Sequence, residues 1–132
     1  MSLQGPYYFG KKVKQPFPEL LERTRKALQE QGFGILTEID VQGKIKEKLG
    51  EDFRSYVILG ACNPSLAHKA LSQELPLGVL LPCNVVVYEE KPGECAVMAM
   101  DPVGAMQMVE APGISAIATE VKSRLSKALD SL

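Results

Sequence analysis

An α+β fold, with helices packed on one face of a mainly antiparallel sheet, is predicted by three observations. Short apolar, β-branched runs alternate with segments at helical spacing. The last two strand patterns, around Asn84–Glu90 and Cys95–Met100, are joined by only Lys91-Pro92-Gly93-Glu94, a hairpin rather than a crossover. The C-terminal segment carries Ile114, Ile117, Ala118, Val121, Leu125, Ala128, Leu129 and Leu132 on one helical stripe. The predicted order is β-α-β-(short α)-β-α-β-β-α.

Each element follows from local chemistry. Tyr7 to Lys14 forms a first strand, weakened by Gly10, and Met1-Ser2-Leu3 is assigned no structure. Pro16-Phe17-Pro18 opens a helix in which Leu20, Leu21, Thr24, Ala27 and Leu28 face inward, and Gly32 stops it. Gly34 to Val41 is a strand with Ile35, Thr37, Ile39 and Val41 on one face. Asp40 caps a short helix carrying Ile45 and Leu49 and ended by Gly50. Phe53 to Gly60 is the next strand. Asn63-Pro64 then starts a helix running to about Glu74, with Leu66, Ala67, Ala70 and Leu71 inward. Leu75 to Pro82 is an apolar return loop. After the hairpin, Asp101-Pro102 begins a short helix through about Val109, and Ala111-Pro112-Gly113 separates it from the terminal helix.

Composition bounds the function. The 132 residues form a single domain with 45% apolar residues and a net charge of -1. Scattered lysines and near-neutral charge point away from a nucleic-acid partner. No apolar run is long enough to span a bilayer, and no signal-peptide pattern is visible. Three cysteines without framework spacing fit a reducing, cytoplasmic setting. C-x-x-C, Walker, G-x-G-x-x-G and G-x-S-x-G patterns are absent, so neither a cofactor nor a reaction is indicated, and whether the protein is an enzyme stays open.

The chemistry concentrates in two tetrapeptides, Ala61-Cys62-Asn63-Pro64 and Pro82-Cys83-Asn84-Val85, with the single histidine, His68, six residues past Cys62. If the strands ending near 60 and starting near 84 are antiparallel neighbours, Cys62, Asn63, Cys83 and Asn84 meet at one sheet end and His68 leans toward them. Three readings follow. Both cysteines pack as small hydrophobes; or Cys62, Cys83 and His68 hold a soft metal or a small ligand; or Cys62, ahead of a helix N-terminus, is a thiolate nucleophile or redox sensor. Cys95 is a packing residue. Met98, Met100, Met106 and Met108 fill core gaps, or form an adaptable groove or thioether site for copper(I). Glu89 and Glu90 point to opposite strand faces and are no catalytic pair. An interaction module using the apolar stretch Leu75 to Leu81 is the non-chemical alternative.

The strings Ile58-Leu59-Gly60-Ala61-Cys62-Asn63-Pro64 and Leu80-Leu81-Pro82-Cys83-Asn84-Val85, with Gly32 to Val41, Ala67-His68 and Met100-Asp101-Pro102, resemble the bacterial and archaeal family catalogued as domain of unknown function 302. The resemblance runs from Tyr7 to the final helix. It implies a TATA-box-binding-protein-like α+β fold, with a curved antiparallel sheet against a long C-terminal helix. It implies no activity, and fold alone does not import DNA binding. The combined expectation is a small cytoplasmic domain binding a small molecule or soft metal ion at the Cys62/Cys83 corner, and a homodimer through the curved sheet.

Overall fold

The computed structural model describes residues 2–132. Its single sheet has six strands, with every neighbouring pair antiparallel, in the spatial order Ser2–Gln4, Tyr8–Val13, Glu94–Met100, Cys83–Lys91, Tyr56–Cys62 and Gly34–Asp40. The strands are β1 (Ser2–Gln4), β2 (Tyr8–Val13), β3 (Gly34–Asp40), β4 (Tyr56–Cys62), β5 (Cys83–Lys91) and β6 (Glu94–Met100). The helices are α1 (Phe17–Glu30), α2 (Val41–Leu49), α3 (Pro64–Gln73), α4 (Pro102–Ala105) and α5 (Ile114–Asp130), with a 3-10 segment at Leu75–Leu80. The α+β class and the long C-terminal helix are as the sequence predicts. No helix of the described residues is long and apolar enough to cross a membrane.

Alternation along the central strands decides which face is covered. Val57, Leu59 and Ala61 of β4, Val85 and Val87 of β5, and Cys95, Val97 and Ala99 of β6 are buried with Leu20 and Leu28 of α1 and Leu125 and Leu129 of α5 in one core. Thr24 is the polar residue on the inward stripe of α1, and its hydroxyl donates to the Leu20 carbonyl at 2.7 Å. A second core of Ala70, Leu77, Met106, Ile114 and Ala118 lies where α3, the 3-10 segment and α4 meet the start of α5. The opposite sheet face carries no helix-packed core.

Three side-chain caps set the helix starts. Asp40 accepts from the Gly43 N–H, Asn63 from the Leu66 N–H at 3.1 Å, and Asp101 from the Val103 and Gly104 N–H groups at 3.0 and 3.2 Å. Gly50, with φ of 68°, closes α2 in the left-handed conformation that glycine tolerates.

Five local differences have physical causes. Ser2–Gln4 forms a strand because it lies antiparallel to Phe9–Lys11 along the edge of β2. In β3 a bulge at Leu36 breaks the expected alternation: Ile35 pairs with Ala61 on the helix side, but Thr37 pairs with Gly60 and Ile39 with Ile58 on the other side. Val41 belongs to α2, since the Asp40 cap ends the strand. The strand expected from Phe53 begins at Tyr56, opposite Tyr88, because β3 offers no partner before Asp40 meets Val57. The helix after Asp101 ends at Ala105 rather than Val109, the chain passing into turns at Met106–Met108.

Asp101 also joins β6 to α5. Its carboxylate accepts from the Lys122 ammonium at 2.8 Å, and Lys122 lies 5.7 Å from the Phe9 ring centroid. Burial pushes the Asp101 carboxyl up, but Lys122 and the two capping N–H groups outweigh it and hold the carboxyl below its ordinary range. Replacement Lys122→Met is expected to lower unfolding free energy by about 1–2 kcal/mol, the solvent-facing side of the pair limiting the loss. The stabilisation by Asp101 is complete above the unfolded carboxyl pKa of about 3.9 and disappears as pH falls through the lower folded value. Urea titrations of parent and variant from neutral pH into acid check both; parallel curves with no difference would contradict the assignment.

Candidate functional site

The expected neighbour relation between β4 and β5 holds: Ala61 pairs with Cys83, and Gly60 with Asn84. Because β5 alternates, Cys83 faces the helices and Asn84 faces the open side. Cys62, at the end of β4, and Asn63, at the start of α3, reach the same pocket as Cys83. The five candidate residues therefore divide. Cys62, Asn63 and Cys83 line a cavity with Leu66, Ala70, Met106 and Ile117. Asn84 lies on the far face of the sheet. His68 is exposed and lines neither space, because two residues past the inward Leu66 is about 200° round the helix.

The corner is small and apolar. Its cavity measures about 50 Å³, against roughly 300–1,000 Å³ for ordinary ligand pockets. Among the described residues no cluster of three histidine, cysteine, aspartate or glutamate side chains is placed to hold a metal ion. The trio Cys62, Cys83 and His68 is not assembled among the described residues, since His68 is exposed on α3 and lines no part of the cavity.

The thiols also differ from the activated thiolate that one of the three sequence readings offers. Burial pushes the Cys62 thiol up. Burial, with the neighbouring Cys62 charge second, pushes Cys83 up to about 11. Cys95 is raised as well, by burial and then by Glu89. All three are free thiols. Asn63 is a cap, with its carbonyl oxygen held by Leu66.

The larger space lies on the open face. The registers of β2, β6, β5 and β4 give three rows of side chains across it: Tyr8, Met100, Asn84 and Gly60; then Gly10, Met98, Val86 and Ile58; then Lys12, Ala96, Tyr88 and Tyr56. Gly10 leaves the middle row without a side chain on β2, and a Cβ there would run into the Val97 carbonyl oxygen. The result is a groove of about 550 Å³ with Met98 and Val86 as floor, Tyr7, Tyr8, Met100 and Asn84 toward one end, and Tyr56 and Tyr88 at the other. The rings of Tyr56 and Tyr88 stack at 5.2 Å with an interplanar angle of 7°, and those of Tyr7 and Tyr8 meet edge-on at 5.0 Å. Burial raises the Tyr88 phenol, with Glu90 and Tyr56 adding to the shift. Lys12 and Arg54 stand near Glu90 at 3.9 and 4.0 Å, outside the lining.

All four tyrosines of the chain line this groove. In the sequence Tyr7 and Tyr56 stand only within strand patterns, and the methionines read as core filling, as an adaptable groove or as a thioether site. The available signal was period-2 alternation: Val85 and Val87 inward put Val86 and Tyr88 outward, and Val97 and Ala99 inward put Met98 and Met100 outward. Met106, by contrast, is buried core, and Met108 is exposed.

Comparison with known proteins places this geometry among relatives. Residues 9–132 match the family model "Domain of unknown function DUF302". The chain is similar to a solved structure described as the crystal structure of uncharacterized conserved protein DUF302 from Bacillus stearothermophilus. The two share 35% identity, 93% of this chain and 95% of that one are covered, and the TM-score is 0.85. No curated protein matches the chain.

The raised thiols have two measurable consequences. Iodoacetamide near neutral pH is expected to alkylate Cys62 far more slowly than a free thiol, and Cys83 more slowly still. The unfolded chain releases the Cys83 proton near its ordinary value of about 8.5, so stability should fall as pH rises from there toward about 11. Rapid selective alkylation of Cys62, read by mass spectrometry, would overturn this and restore the nucleophile.

Proposed function

The chain belongs to the DUF302 family, and from that premise we propose that it is a small-molecule-binding domain whose site is the tyrosine-lined groove on the uncovered sheet face. The observation that carries this reading is the gathering of every tyrosine around one open space of about 550 Å³, a size suited to a small ligand. Aromatic and methionine side chains supply adaptable apolar surface, and the tyrosine hydroxyls and Asn84 supply the few polar groups that orient a ligand. The Cys62/Cys83 corner supports packing instead: its void is small, its lining apolar and its thiols protonated near neutral pH. The groove lining carries no cationic side chain to meet phosphates, which favours a small molecule over a nucleic acid.

The same face is where a second copy would sit in a dimer, so the two occupants need separating. With no tryptophan in the chain, intrinsic fluorescence comes from the groove tyrosines alone. Titration with the neutral dye Nile red is expected to quench that emission and shift the dye to the blue. Val86→Glu, which places a charge on the groove floor, is expected to weaken binding at least tenfold while leaving the circular dichroism spectrum unchanged. Dye binding that Val86→Glu leaves intact, or no binding at all, would sink the proposal. Sedimentation of a dimer that Val86→Glu converts to monomer would assign the face to a second copy.

A further inference from the structure

The groove's lining also limits the kind of molecule it can hold. None of the lining residues is charged, and the lining contains a single carboxamide, that of Asn84. Asn63 gives its carbonyl oxygen to a helix cap, whereas Asn84 is exposed on the groove side. A carboxamide presents one donor and one acceptor side by side, the arrangement that pairs with an amide-like edge of a flat heterocycle. The row holding Asn84 and the row holding Tyr88 are four residues apart along β5, about 13 Å, enough for two or three fused rings lying over Val86 and Met98.

From this we infer that the groove recognises an uncharged, fused heteroaromatic ring system, with its amide-like edge on Asn84, one face over Val86 and Met98, and its far end against Tyr88. The inference rests on the groove being the binding site. Charge selects against alternatives: the nearby cations Lys12 and Arg54 both stand near Glu90 and outside the lining, so an anionic ligand finds no cation within the groove itself. A purely hydrocarbon ligand would leave the Asn84 carboxamide covered and unpaired, which disfavours it.

Two probes of nearly the same ring area separate the edge from the faces. Lumichrome is a neutral tricyclic heteroaromatic with free ring N–H groups; its N,N′-dimethyl derivative has both blocked. By tyrosine quenching near neutral pH, the parent is expected to bind lumichrome about tenfold tighter than the dimethyl derivative, and Asn84→Ala is expected to erase that preference. Tyr88→Leu is expected to weaken both probes equally. Equal binding of the two probes by the parent would overturn the Asn84 edge while Nile red binding still upheld the groove. Failure of both probes where Nile red binds would overturn the heteroaromatic class. Failure of all three dyes would overturn the groove itself. Asn84 is exposed, so its truncation leaves the core intact, and Asn84→Asp, which keeps the shape but loses the donor, repeats the test with a second variant.

Discussion

Val85 and Val87 on β5 lie opposite Ala99 and Val97 on β6, and these inward side chains form the seam on which α1 and α5 close. A strand buries alternate residues, so once this seam is covered the intervening residues Val86, Tyr88, Met98 and Met100 have only the other face available. The remaining strands add to this pair on both sides and inherit its sidedness. Helices α1 and α5 gather on one face because that is where the apolar seam is. The groove lies on the other face, where no helix residue joins its lining.

That constraint also explains how the cysteine motifs divide. Two adjacent residues of a strand cannot share a face, so Cys83 and Asn84 part company as soon as β5 pairs with β4. The first motif is separated differently, because Asn63 leaves the sheet to cap α3 and Cys62 stays at the junction. Similar letters at 62–63 and 83–84 thus serve dissimilar surroundings. Cys62 and Cys83 border a small apolar void that residues of α3, α4 and α5 close.

Much of the fold was legible where the deciding chemistry is local. Asp40, Asn63 and Asp101 each cap the helix that follows, and the inward stripes of α1 and α5 fall on the residues that helical spacing selects. The bulge at Leu36 was not legible, because it is imposed by pairing with Gly60 and Ala61 from a distant strand. The edge strand Ser2–Gln4 depends likewise on β2 for its hydrogen bonds. For the site, antiparallel neighbours brought Cys62 and Cys83 together as the spacing implied, but the direction of His68 and Asn84 required the period of each element to be followed one residue further. The tyrosine groove forms no motif at all: Tyr7, Tyr8, Tyr56 and Tyr88 come from three separate stretches of chain that only the sheet order joins.

The sheet order carries one more consequence, for the birth of the protein. Strand β2 is second in the chain, yet its longer ladder must wait for the last strand: Tyr8–Val13 pairs with Cys95–Met100, some ninety residues later. During synthesis the aromatic N-terminal segment therefore has only the three residues of β1 beside it until the β5–β6 hairpin has emerged. Closing that long loop before any ladder bond forms makes docking of β2 a late and entropically demanding step. The residues that flank the groove would thus be among the last to acquire their final surroundings.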